Sequence, residues 1–93
     1  MKLTPERITE FKKLAEKASY SGEWSQLRHC HAWYGYITRN YIVLKSYATI
    51  VAVLDLREDV VYELGKWSPT TSRQVTWFTQ LFNARKEFVE NYD

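Results

Sequence analysis

A stretch in the first half of the chain combines basic and aromatic side chains without acidic ones. No Asp or Glu occurs between Trp24 and Leu54. The cations and rings of this stretch include Arg28, Trp33, Tyr34, Tyr36, Arg39, Tyr41, Lys45 and Tyr47. Basic groups bind phosphates and flat rings stack on bases, so the stretch predicts a surface for a partner or for nucleic acid. The alternative is that one sheet face packs under helices while the other carries rings and a few solvated cations.

The sequence His29-Cys30-His31 has side chains that bind metals. In an extended segment His29 and His31 point to one face and Cys30 to the other, so at most two ligands converge. Zinc needs three or four ligands, and the chain has no further Cys or His. We therefore expect no metal site. Cys30 could act as a thiol nucleophile beside a histidine, but a buried, inert role is far commoner.

The segment Thr70-Thr71-Ser72-Arg73 places hydroxyls, backbone N–H groups and a cation at a predicted helix start. Helix N-termini bind anions through such N–H groups and the helix dipole. No glycine-rich stretch precedes the segment, which excludes a nucleotide-binding loop. Helix capping is the simpler role for the hydroxyls, and Arg73 is a candidate binding residue.

The chain has no residue set suited to catalysis. No carboxylate pair, nucleophile with a base, or phosphate loop occurs at usable spacing. We predict a protein that is not an enzyme, with no catalytic residues and no cofactor.

Length and composition are typical of one compact domain, which we assign to residues 1–93. Of the 93 residues 45% are hydrophobic, and only 3 are Gly and 2 Pro. The net charge of +2 is too small to identify a nucleic-acid binder. Cys30 has no partner for a disulfide, the first residues do not resemble a signal peptide, and no apolar run approaches a bilayer span. We expect a cytoplasmic protein without membrane association.

The pattern of apolar residues predicts an α+β fold. Thr4 can cap a helix from Pro5 to Ala18, which ends in Ser19-Tyr20-Ser21-Gly22. Strand formers then occupy residues 32–37, 41–44, 49–55 and 60–64, with a bend near Ser46-Tyr47-Ala48. We predict an antiparallel meander of three or four strands, with the N-terminal and C-terminal helices packed on one face.

The C-terminal helix is predicted to run to about Asn91. Two caps fit its start: Ser68 with Pro69, or Thr71 with Gln74 in a capping box.

Apolar residues fill roughly half of this helix's circumference, which is more than packing on one sheet face requires. Either the helix packs on both the sheet and the first helix, or one edge meets a partner, which leaves a homodimer open. Arg85 lies inside the apolar arc, where it snorkels to water, pairs with a carboxylate or enters an interface.

Two segments resemble a pattern in small, uncharacterised proteins encoded by phages of Gram-positive bacteria. They read Ser46-Tyr47-x-Thr49-x-Val51-Ala52 and Lys66-Trp67-Ser68-x-Thr70-Thr71-Ser72-Arg73. The resemblance implies a phage or prophage origin, a strand–strand–helix arrangement and a cytoplasmic site of action, but no activity. Members of that family usually have histidine where this chain has Gln74. On physical grounds the Ser and Thr residues of the pattern build a bend and a helix cap.

The leading hypothesis is a small non-enzymatic interaction protein that binds and modulates a host or defence protein, as an anti-CRISPR or a similar inhibitor does. It rests on the resemblance and on the aromatic residues that the meander leaves on its outer face. The alternative is a small nucleic-acid-binding module that uses Arg28, Arg39, Lys45 and neighbouring rings. Such a module binds in a steeply salt-dependent way.

Overall fold

The computed structural model describes residues 1–20 and 23–93. It has two helices, α1 (Pro5–Ala18) and α2 (Pro69–Leu81). The strands are β1 (Ser25–Gln26), β2 (Ala32–Thr38), β3 (Tyr41–Ser46), β4 (Thr49–Asp55), β5 (Val60–Glu63) and β6 (Arg85–Phe88). They form one sheet in the order β1-β2-β3-β4-β5-β6, antiparallel except for the β5–β6 pair. The predicted α+β meander between two helices is confirmed, with six strands instead of three or four.

Helix α1 has the predicted bounds, because its capping signals are local. Thr4 Oγ1 accepts a hydrogen bond from the backbone N–H of Arg7 at 3.2 Å, and Pro5 is in the first turn. At the other end the backbone N–H of Ser19 donates to the carbonyl of Glu16. Ser21 and Gly22 of the predicted stop lie outside the described residues.

The centre of the sheet is buried on both faces. Residues 41–44 of β3 and 51–55 of β4 are all buried, as their nearly continuous apolar runs indicate. The predicted bend at Ser46-Tyr47-Ala48 is a hairpin turn that pairs Ser46 with Thr49. A β-bulge between Leu44 and Lys45 shifts the register just before this turn.

The two helices lie on opposite faces of the sheet, so the prediction that they share one face is wrong. Phe11 of α1 packs in one core with Val43, whereas Phe78 of α2 packs in a second core with Ile42. Neighbouring strand residues point to opposite faces, and both faces of β3 are apolar. Each face therefore needs its own covering helix, and the predicted open outer face of the meander does not exist at the sheet centre.

Ser68 caps helix α2, which decides between the two predicted caps. Ser68 Oγ accepts a hydrogen bond from the backbone N–H of Thr71 at 3.3 Å. Gln74 instead points to the sheet, where its Oε1 accepts a hydrogen bond from Ser46 Oγ at 2.7 Å. Trp67 Nε1 donates to the carbonyl of Val51 at 3.2 Å. The residues of the phage-like pattern thus bind the start of α2 to β3 and β4.

Helix α2 ends at Leu81, so the prediction that it runs to about Asn91 is wrong. The chain reverses at Asn83, whose φ of 51° lies in the left-handed region that asparagine tolerates. Strand β6 follows and pairs in parallel with β5, from Val60 opposite Arg85 to Glu63 opposite Phe88. Parallel neighbours need a crossover connection, and α2 supplies it.

Strand β6 also explains the wide apolar arc and the position of Arg85. The apolar residues assigned to one helix belong to two elements, because Phe88 and Val89 follow the turn. Arg85 is on an edge strand, exposed, with its Nε 3.7 Å from a carboxylate oxygen of Glu87. Charged side chains on an edge strand oppose pairing with other chains.

Candidate binding surface

The connection between β1 and β2 is a compact turn that presents Arg28. The backbone N–H of Leu27 donates to the carbonyl of Ala32 at 2.8 Å, and the Cys30 thiol donates to the carbonyl of Leu27 at 2.9 Å. Gln26 Nε2 donates to the carbonyl of Cys30 at 2.8 Å. This network holds Arg28 at a φ of 54°. Cys30 acts here as a structural hydrogen-bond donor.

The β3–β4 turn presents Tyr47 next to the first turn. The backbone N–H of Tyr47 donates to the carbonyl of His31 at 2.9 Å. The two rings stack, with centroids 4.9 Å apart and planes at 22°. His31 is exposed, and Tyr47 is 61% exposed. We call the exposed residues Arg28, His29, His31 and Tyr47 the loop ridge, because these contacts join the two turns into one surface.

The backbone of the loop ridge is strained at two residues. The described non-glycine residues with positive φ are Arg28, Tyr47, Asp59 and Asn83. Asp and Asn tolerate this region, but a bulky residue there is an outlier that costs free energy. Such strain persists only where the surroundings impose it, and it concentrates at functional sites. Both outliers present a cation or an aromatic ring to solvent, which makes these two residues candidates for a binding surface.

Three further residues extend the loop ridge on the α1 side of the sheet. Trp33 and Lys45 are cross-strand neighbours on β2 and β3. Lys45 Nζ lies 4.2 Å from the ring centroid of Trp24, and the His31 and Trp33 centroids are 6.4 Å apart. The side chains are half-buried, so they support the ridge and expose only their edges.

A groove runs along the other side of the loop ridge, between the β1–β2 turn and α2. We call it the α2 groove; it is lined by Gln26, Leu27, Arg28, Tyr34, Trp77, Gln80 and Leu81. Its volume is about 330 Å³, at the small end of the range for ligand pockets. The Arg28 guanidinium lies 4.3 Å from the ring centroid of Trp77. Tyr34 closes the floor by packing edge-on against Phe82, with centroids 5.5 Å apart.

The remaining predicted site residues do not join this surface. Arg39 is in the β2–β3 turn, separated from the loop ridge by the length of β3, about 20 Å. Tyr41 is buried, and its hydroxyl accepts hydrogen bonds from Arg7 and Arg57. The cations of the acid-free stretch therefore do not form one basic patch.

Tyr36 and Arg73 are exposed in other places. Tyr36 is 64% exposed on β2, on the face that it shares with Tyr34. Arg73 is exposed in the first turns of α2.

The predicted site residues do not include eight residues of this surface, which are Trp24, Gln26, Leu27, His29, His31, Trp77, Gln80 and Leu81. The sequence predicts His31 as latent positive charge beside the aromatic residues and as one of too few metal ligands, and it places Trp77 and Leu81 in the apolar arc of the last helix. A half-buried Trp and a 53% exposed Leu have the same apolar spacing as core residues. The sequence could not separate them, because exposure depends on where α2 crosses the sheet.

A cluster of charged and phenolic groups lies at the opposite end of the sheet. Arg7 Nη2 donates to Asp55 at 2.7 Å and to Glu58 at 2.8 Å, and the Tyr62 hydroxyl donates to Glu58 at 2.6 Å. Burial alone would raise the pKa of Asp55, but hydrogen bonds from Arg7 and Arg57 hold it below its ordinary value. Burial and the bond to Glu58 raise the pKa of Tyr62 to about 12. These groups pair with one another and bind α1 to the β4–β5 turn, which is a structural role.

Within residues 1–20 and 23–93, no group of three or more His, Cys, Asp and Glu side chains is placed to hold a metal ion. In the same ranges, neither helix combines the length and the apolar character needed to cross a bilayer.

Comparison with known proteins identifies a family but no activity. Neither the curated proteins nor the solved structures contain a match to this chain. A family model, described as a family of unknown function (DUF8033), matches residues 19–92. This range contains the whole sheet, α2, the loop ridge and the α2 groove, and it begins just after α1. The chain belongs to this family of unknown function, DUF8033.

Proposed function

We propose that this protein is a non-enzymatic interaction protein that binds and modulates another protein through the loop ridge. The observation that carries the proposal is the positive φ of Arg28 and Tyr47 in two adjacent turns. Their strained backbones place a guanidinium and an aromatic ring on the surface in fixed positions. Fixed side chains lose less conformational entropy on binding, so preorganisation of this kind increases affinity.

The chemistry of the ridge supports a protein partner. Tyr, Trp and Arg are the residue types that contribute most to protein–protein affinity. Tyr47 and Arg28 lie at the centre of the surface, with Trp33 and Trp77 half-buried on either side. An aromatic and cationic centre with supporting rings is the arrangement found at energetically important interface positions.

The partner is a host or defence protein and the site of action is the host cytoplasm, by the resemblance to phage-encoded proteins. In this proposal the protein acts as a phage-type inhibitor similar to an anti-CRISPR. Binding alone is sufficient for such inhibition, because it covers a surface that the target needs.

The test is co-purification from lysates of Gram-positive hosts with three versions of the chain: wild type, a double variant with His31→Ser and Tyr47→Gly, and Arg39→Gly. Glycine suits the positive φ at Tyr47, so the double variant loses the stacked rings but not the turn. We expect a stoichiometric partner with wild type and Arg39→Gly, and its loss with the double variant. Retention by the double variant, or no partner across plausible hosts, would contradict the proposal.

A small nucleic-acid-binding module is the second candidate, favoured by the absence of acidic residues between Trp24 and Leu54. It predicts binding to a single-stranded oligonucleotide that weakens steeply with salt and with charge reversal at Arg39 and Lys45. Arg39 and Lys45 lie at opposite ends of β3 and do not form one basic patch, so the structure favours the first candidate over this one. Absence of binding near 50 mM salt would eliminate it.

A further inference from the structure

Acidic residues are absent from the elements that build the α2 groove. None of the 11 Asp and Glu residues lies in 24–54 or in 64–86. These ranges contain β1, β2, β3 and the whole of α2. The nearest acidic residue in sequence is Glu23, which precedes β1 and lines a neighbouring pocket with Ser25 and Tyr34 but does not line the groove. Arg28 is the single charged residue that lines the groove, so the groove is complementary to a negative charge.

The contact of Arg28 with Trp77 leaves the hydrogen-bonding edge of the guanidinium available. The guanidinium carbon lies over the Trp77 ring, 4.3 Å from its centroid. Guanidinium N–H donors point outward in the plane of the group, away from a stacked ring. Among the described residues Arg28 makes no side-chain hydrogen bond and no ion pair. A guanidinium that rests on a ring and has no hydrogen-bond partner among the described residues can bind a carboxylate through two parallel N–H···O bonds.

The rest of the groove is apolar. Trp77 and Tyr34 line it, and Leu81 at the end of α2 is 53% exposed. An exposed leucine beside two half-buried rings can bury an apolar side chain of a ligand. At the margins the Gln80 amide provides a neutral donor and acceptor for a peptide backbone, and Gln26, whose amide nitrogen donates to the Cys30 carbonyl, provides its amide oxygen as an acceptor.

We propose that the α2 groove binds an acidic–hydrophobic peptide segment of the partner protein. A carboxylate of the segment pairs with the edge of Arg28, and a neighbouring apolar side chain packs against Trp77 and Leu81. This inference rests on the proposed function and names the chemistry of the partner. Arg28 belongs to both the loop ridge and the groove, so the segment continues the interface that the ridge begins.

The geometry favours a peptide over nucleic acid. A nucleic-acid strand presents a phosphate at each nucleotide and is bound by several cations along its path. The groove offers one cation next to an apolar wall, which suits one carboxylate followed by one apolar side chain.

The experiment titrates isotope-labelled protein with three pools of ten-residue peptides and follows backbone and indole N–H signals by NMR. One pool contains Asp, Glu, Leu and Phe; the second replaces the acids by Lys and Arg; the third replaces the apolar residues by Ser. We expect shifts at Arg28 and the Trp77 indole with the first pool alone. Arg28→Gln should weaken binding five-fold or more, whereas Arg39→Gln, at the far end of β3, should leave it unchanged.

A second variant guards against a folding effect of Arg28→Gln. Leu81→Glu is exposed, so the fold accommodates it, and it adds a repelling charge to the groove; it should also abolish binding. Equal binding of all three pools, or full binding by both variants, would overturn the inference. If a ten-nucleotide single strand shifts the Arg28 and Trp77 signals and the acidic–apolar peptides do not displace it, the groove binds nucleic acid and the inference is overturned. If the partner depends on Tyr47 but no acidic–apolar pool binds, the inference fails while the proposed function stands.

Discussion

Single residues of this protein divide into those that fix the fold and those that present a surface. Asp55 is fully buried and bound by Arg7, and Gln74 is buried against Ser46; both serve the interior. Arg28 and Tyr47 are exposed and held in an unfavourable backbone conformation. Interior polar groups are explained by the hydrogen bonds they satisfy. Among the described residues the side chains of Arg28 and Tyr47 make no hydrogen bond, and this contrast is why we propose that they bind a partner.

Backbone strain at the loop ridge predicts that glycine substitutions there are more stable than alanine substitutions, the reverse of the usual order. Tyr47→Gly should be more stable than Tyr47→Ala by about 1 kcal/mol, because only glycine adopts a positive φ without steric cost. Arg28→Gly and Arg28→Ala should show the same order. Urea unfolding measures the difference. Lys13, exposed in α1, is the control, where alanine should be the more stable by about 1 kcal/mol. Equal stability of both pairs would show that the turns are not strained.

The ion pair of Asp55 with Arg7 predicts that the folded protein loses stability in acid. The folded protein holds the pKa of Asp55 below its unfolded value, so the contribution of Asp55 is complete above the unfolded pKa and is lost as pH falls through the folded pKa. Asp55→Asn should be less stable at pH 7 by about 2 kcal/mol, since the charge-assisted hydrogen bonds from Arg7 and Arg57 are weakened while Glu58 still pairs with Arg7. It should also lose less stability than wild type as pH falls below the unfolded pKa of an aspartate, about 4. Thermal unfolding against pH tests both; parallel curves for the two proteins would contradict the assignment.

At the scale of elements, β6 decides the architecture of the second half of the chain. It converts a predicted long helix into a helix of 13 residues followed by a parallel edge strand. The backbone N–H of Arg85 donates to the backbone carbonyl of Asp59, and that of Val89 donates to the backbone carbonyl of Glu63, each at 2.9 Å. Backbone N–H groups alternate in direction along a strand, so the N–H of Glu87 also faces β5, whereas the N–H of Lys86 faces away from it.

This alternation predicts unequal effects of proline on β6. Glu87→Pro should destabilise the protein by about 2 kcal/mol, because a carbonyl of β5 loses its donor. Lys86→Pro should cost less, since its N–H faces outward and proline is accepted on the open side of an edge strand. Chemical denaturation of the two variants gives the comparison. Equal effects would mean that residues 85–88 do not pair with β5.

The whole molecule is a sheet between two helices with an uneven distribution of charge. One core lies under α1 and the other under α2, and the centre of the sheet is buried from both sides. Acidic residues are concentrated in α1, the β4–β5 turn and the last residues of the chain. The loop ridge lies at the end of the sheet where the β1–β2 and β3–β4 turns meet, and the α2 groove lies beside it on the α2 side. The rigid centre positions the two ridge turns, because both are joined directly to β2, β3 or β4.

This arrangement predicts a gradient of hydrogen exchange across the sheet. Amides of β3 and β4 should exchange most slowly, because opening them exposes both cores at once. Amides of β1 should exchange fastest among the strands, since β1 has two residues and both are exposed. Exchange followed by NMR or mass spectrometry tests the order. Comparable rates in β1 and β3 would contradict a core on each face.

The sequence by itself determined the features that depend on neighbouring residues. The bounds of α1, the turn at Ser46-Tyr47-Ala48, the Ser68 cap option and the α+β class follow from capping chemistry and apolar periodicity, which act within a few residues. The interpretation of the Ser and Thr pattern as structural is confirmed by the Ser46–Gln74 and Ser68–Thr71 hydrogen bonds.

Only the tertiary structure decided which face each helix covers, that β6 pairs with β5, and that Tyr47 stacks on His31. Residues 85–88 have no strong strand pattern of their own, and they form a strand because the edge of β5 offers hydrogen bonds. Tyr47 and His31 stack although they lie in different turns, so no local sequence pattern predicts this contact. Contacts between residues distant in sequence depend on how the sheet brings them together, and the candidate binding surface is made of such contacts.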